Sequence, residues 1–134
     1  MTRLPDWRTR LEVCMAEMAA KPFRPGTVDC ACAAATAVFA MTGTDIRATF
    51  KGNYRTLKGG FKQLKKAGYA DLADLVGQHF DEVPVAFGRV GDIAVLRSEG
   101  QPALGIVQGD RIYIRSMAGL ATVSLLTAER MFRV

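Results

Sequence analysis

Apolar residues recur at helical spacing through the first half of the chain and in short alternating runs from Arg89 onward. Asp6 stands before "WRTRLEVCMAEMAA", where Trp7, Leu11, Cys14 and Met18 share one face, which predicts a first helix capped by Asp6. Pro22, Pro25 and Gly26 then break the chain. Asp29 caps a predicted second helix from 30 to about 41 that ends near Thr42 and Gly43. Its Ala31, Ala33, Ala34, Ala35, Ala37 and Ala40 leave almost no polar face, the pattern of a buried helix packed closely on its neighbours. A third helix is predicted over 56–67, with Leu57, Phe61 and Leu64 facing the core and Gly68 at the position just past its end. A short fourth helix falls within 70–79.

The second half reads as strands. "DIAVL", "ALGIVQ", "RIYIRS" and "ATVSLL" are β-rich, with turn signals at Gly109-Asp110 and Ala118-Gly119. They predict an antiparallel sheet of about four strands, with Tyr113 exposed on the sheet face opposite Ile112 and Ile114 and "GLATVSLL" a candidate edge. Trp7 reads as core or as a staple. Helices first and strands after give an α+β fold, N-terminal helices packed on a C-terminal antiparallel sheet, in one domain over 1–134.

Composition narrows the class only a little. The chain is 49% hydrophobic and 23% charged, as a globular protein is. Its net charge of +5 permits nucleic acid, an anionic surface or an acidic protein as partner and selects none of them. No apolar run approaches the roughly 20 residues that span a bilayer. "MTRLPDWRTRLE" has no apolar core of a signal peptide, so the expectation is a product made in the cytoplasm. The three cysteines, Cys14, Cys30 and Cys32, are an odd count that argues against a closed disulfide framework and for folding in a reducing compartment.

"VDCACAAAT" at 28–36 carries the candidate chemistry. With Asp29 as cap, Cys30 sits in the first turn of a helix, where unpaired N–H groups and the dipole favour a thiolate. That is where a cysteine nucleophile is placed; the alternative is that Cys30 and Cys32 are small core residues. Two positions apart on a helix, they point in different directions, and Cys32 reads as packing. Three cysteines and His79 make four potential zinc ligands, but C-x-C on a helix is poor ligand spacing and Cys14 lies on the apolar face of another helix. No metal and no cofactor is expected.

A "DC" that opens an Ala-rich helix, followed by "GDIAVL" and "ALGIVQGDRIYI", resembles the NlpC-type cysteine peptidases, papain-like enzymes that cut bacterial cell-wall peptides. More closely, "KPFRPGTVDCACAAATAVFAMTGTD" and "FKGNYRTLKGG" resemble a phage and prophage family of small NlpC-related proteins encoded among tail genes, over about Asp6 to the final "MFRV". The resemblance implies a papain-like fold with Cys30 at the nucleophile position. It also puts the general base on the strand "ALGIV", at Ala103, and the orienting residue near Arg115. Neither partner is present in kind, so the chain resembles a peptidase that lacks its catalytic histidine. A helix terminus can ionise a thiol, but it cannot protonate a leaving amine. The resemblance thus implies a tail-tip assembly component in the virion, made in a bacterial host, with other tail-tip or hub proteins as partners. The alternative is an active peptidoglycan peptidase in which Cys30 is the nucleophile and His79 or a partner subunit supplies the base.

From Arg47 to Lys66 the charged residues are Arg47, Lys51, Arg55, Lys58, Lys62, Lys65 and Lys66, with no acid between them. On the third helix Lys58, Lys62, Lys65 and Lys66 lie away from the core face. They read as a solvated face or a surface for an acidic protein in preference to nucleic acid, since Tyr54 and Phe61 form no evident stacking platform.

Overall fold

A computed structural model describes residues 2–46, 55–98, 100–116 and 119–134. Arg47, Lys51, Tyr54, Ala118 and the side chain of Leu57, all used above, lie outside what is described. The chain forms helices α1 (Trp7–Ala20), α2 (Cys30–Thr42), α3 (Leu57–Lys66) and α4 (Leu72–Gly77). Strands follow: β1 (Asp81–Val83), β2 (Ile93–Ser98), β3 (Gln101–Val107), β4 (Arg111–Ser116), β5 (Gly119–Ser124) and β6 (Arg130–Arg133). Short 3-10 turns occupy Val85–Phe87 and Leu125–Thr127. The fold is α+β, as the change of period predicts.

The helices end as their sequences dictate, with one exception. Asp29, Thr56 and Asp71 each accept a backbone N–H of the first turn, from Cys32, Gly59 and Asp74. The end of α3 is closed by Gly68 N–H to Lys65 O and Tyr69 N–H to Leu64 O, a Schellman motif that uses the positive φ of Gly68. Asp6 does not cap α1; its carboxylate turns outward to accept from Arg10 Nε at 2.8 Å.

The sheet has six strands in the order β1-β6-β2-β3-β4-β5, two more than the sequence pattern predicts, and each neighbouring pair is antiparallel. β6 runs between β1 and β2. Residues 125–126, expected in a strand, belong to the second 3-10 turn.

Alternation sorts the sheet into two faces. Ile93, Val95, Leu104, Ile106 and Phe132 join the helices in the main core, where Ala31, Cys32, Ala33, Ala34, Ala35 and Ala37 of α2 are buried. Ala94, Leu96, Val107, Ile112 and Met131 form a second core on the other face, with Val85 and Leu125 of the 3-10 turns packed against it. Tyr113 is half-buried against the helix-side core, not exposed, because that face of β4 is covered as well.

Gly105 of β3 stands where backbones approach closely. A Cβ there would lie 2.9 Å from Tyr113 O and would also press on the Ile112 side chain. Gly105→Ala is therefore expected to destabilise the fold by about 2 kcal/mol, read from urea midpoints, because the neighbour on one side is main chain and cannot rotate away.

Candidate functional site

The segment before Cys30 is a tight loop closed on its own cap. Arg24 N–H donates to Val28 O and Val28 N–H to Arg24 O, at 2.8 and 2.7 Å. Asp29, buried, then uses both carboxylate oxygens locally: Oδ2 accepts Gly26 N–H at 2.9 Å and Oδ1 accepts Cys32 N–H at 2.8 Å. This fixes the first turn of α2 and places Cys30 at its start.

The same cap works against an ionised thiol. Burial pushes the Cys30 thiol up to about 11, and the Asp29 carboxylate beside it adds to the rise. A hydrogen bond from the Leu104 backbone only partly offsets them. The helix terminus favours negative charge, but that charge is already supplied by Asp29. Cys30 itself is half-buried, while Cys32 and Cys14 are buried in the main core, as packing residues are.

β3 does face Cys30, through the position after the expected one. Leu104 pairs with Val95 and lies on the helix side, against Cys30; Ala103 pairs with Leu96, whose side chain belongs to the second core, so Ala103 faces away from α2. Arg115 is 5% exposed on β4. Its Nη2 donates to Lys21 O at 2.6 Å, its Nη1 to Ser116 O, and its guanidinium sits 5.9 Å from the Phe23 ring centroid. It therefore ties β4 to the segment that leads into the Cys30 loop, with Nε buried and without a hydrogen-bond partner. His79 is exposed on the turn after α4, 6.2 Å from the Phe80 ring, and is not among the groups that perturb the Cys30 thiol. The site residues brought to one region are thus Asp29, Cys30 and Leu104. Among the described residues no cluster of three or more His, Cys, Asp or Glu is arranged to hold a metal ion.

Lys58, Lys62, Lys65 and Lys66 are all exposed on α3. Beside Lys65 a cavity of about 220 Å³ opens between Phe61 and Leu64 of α3, Leu72 of α4 and Pro102 at the start of β3. Cys30 does not line it.

Sequence reasoning did not see the role of Asp92, which stands in the "GD" before β2. It is fully buried and accepts four hydrogen bonds: at Oδ1 from Arg3 Nη2 and Val134 N–H, each 3.1 Å, and at Oδ2 from Arg89 N–H at 2.9 Å and Arg133 Nε at 3.0 Å. A lone Asp before a strand gives little warning of this, because its donors come from both ends of the chain. The motif that resembles a peptidase signature thus serves here as a clasp.

Fold and site together define an α+β domain in which a cysteine opens a buried helix and faces the middle of an antiparallel sheet. The chain matches the family described as a domain of unknown function, DUF6950, over residues 2–134, and belongs to it. No curated protein matches the chain.

Proposed function

We propose that this protein is an assembly component of a phage or prophage tail tip, built on a degenerate NlpC-type, papain-like scaffold. The tail assignment is carried by the motifs around Cys30 and in "FKGNYRTLKGG"; the loss of catalysis is carried by one geometric observation. The helix-start thiol meets the Leu104 backbone, and Ala103, to which the resemblance assigns the histidine, lies on the opposite face of the sheet, while burial and the Asp29 carboxylate push the thiol up. A thiol with that environment and no acid to protonate the leaving amine does not cleave amides. What remains is a rigid domain with an exposed basic helix, suited to an acidic neighbouring tail protein.

The test is genetic. Deleting the gene is expected to stop tail completion, seen by electron microscopy, while Cys30→Ala leaves complete and infective particles. Normal tails after deletion would remove the assembly reading. The placement of Cys30 facing the sheet favours one second reading, an active peptidoglycan peptidase completed by a partner subunit. It predicts that Cys30→Ala particles assemble but fail to penetrate the cell wall.

A further inference from the structure

We propose that the two 3-10 turns and the arginines beside them form a docking site for a protein segment that presents an apolar side chain flanked by carboxylates. Phe87 and Leu126 are 66% and 80% exposed, the most exposed of the large hydrophobic side chains among the described residues. They stand on turns that pack against each other over the second core, so the two side chains are carried on one firm base. Phe87 O is held by Arg133 Nη2 at 2.6 Å and Val90 O by Arg3 Nη1 at 2.7 Å, which places both guanidiniums along the 87–90 segment. Arg8 shares the Trp7 ring with Arg3, their guanidiniums 4.8 and 4.2 Å from its centroid. Arg89 is exposed in the same segment.

The charge of this surface is unbalanced. Asp92 lies beneath it and is shared between Arg3 and Arg133, Asp81 stands opposite Arg133 across the β1–β6 pair, and the exposed Arg8 and Arg89 add two further cations. Arg3 feels the repulsion of Arg89, Arg133 and Arg8. Asp110 adjoins the second turn, where its carbonyl accepts Leu125 N–H at 2.9 Å; the arginines adjoin the first. Exposed apolar anchors with an arginine rim are the arrangement that binds protein segments. A nucleic-acid backbone satisfies the arginines but leaves a protruding leucine in water. A second copy in a two-fold contact sets arginine against arginine. The complementary occupant is therefore an acidic, apolar segment of another protein. This holds for any such partner and does not rest on the tail reading.

The probe is a display library of short random peptides selected on the whole chain. Selected peptides are expected to carry Leu, Phe or Trp flanked by Asp or Glu, and to bind more weakly as salt rises. Affinity should fall at least about tenfold with Phe87→Ser combined with Leu126→Ser, and separately with Arg89→Glu, while circular dichroism melting stays unchanged for both. The proposal is overturned if no peptide is selected, if the selected ones lack that pattern, or if they bind the variants as well as the parent. It is equally overturned if sedimentation shows a dimer that Leu126→Ser abolishes, since the surface then serves a second copy.

Discussion

Asp92→Asn is expected to destabilise the protein by about 3 kcal/mol, measured as a lower urea midpoint at unchanged slope. The carboxylate accepts four hydrogen bonds, and the amide keeps one oxygen. Its NH2 then confronts two donors in a site without exposure, which leaves N–H groups unpaired. The substitution also removes the buried negative charge that Arg3 and Arg133 share. Breaking a fully buried pair costs about 3–5 kcal/mol. The lower end applies here because the two arginine side chains retain 15% and 28% exposure, and water screens what they lose. A control is Glu82→Gln, which breaks an ion pair with Arg130 at 2.7 Å whose partners are both nearly half exposed. It is expected to change stability by no more than about 0.5 kcal/mol.

The second large effect is on thiol chemistry. With the Cys30 thiol at about 11, about one molecule in ten thousand carries the thiolate at pH 7, against a few per cent for a free cysteine. The more basic thiolate is intrinsically more nucleophilic, which returns about tenfold, so alkylation at pH 7 should run about 30-fold slower than for a free thiol. The rate should climb until about pH 11. Asp29→Asn keeps a capping side chain but removes the adjacent charge, and is expected to move the titration downward and speed labelling at neutral pH. An unchanged profile in that variant would show that the carboxylate does not contribute. Linkage gives the sign for stability. The folded thiol holds its proton more tightly than an unfolded one at the free value of about 8.5, so stability is unaffected well below that pH and falls as pH rises from there towards about 11. Cys30→Ala should lose that alkaline loss.

Much of the architecture is legible from local pattern, and its gaps have identifiable causes. α2 was readable because an acidic cap, an alanine run and a glycine stop agree with one another. β6 was not, because both Met131 and Phe132 are buried, one on each face of the sheet, which erases the alternation a half-buried strand shows. β1 is three residues, and its Asp81 and Glu82 are exposed, so only its pairing with β6 defines it. The position of Cys30 followed from helix-start logic, yet its reactivity did not. That logic counts the dipole and the N–H groups but not the carboxylate that occupies them. β3 meets Cys30 through Leu104, and Ala103, one residue earlier, falls on the opposite face of the sheet. Leu104 and Ala103 differ only in that parity.

The clasp at Asp92 joins parts of the chain that meet nowhere in sequence: Arg3 ahead of α1, the 89–92 turn and the end of β6. Segments so far apart in sequence ordinarily open independently of one another. Here the two segments are joined directly, because Arg3 Nε donates to Val134 O at 3.1 Å, and release of either takes a donor from the buried Asp92 carboxylate, so the segment before α1 and the last strand belong to one cooperative opening unit. Fraying at one end is then opposed from the other, and a tag or substitution that disturbs Arg3 is felt at Arg133.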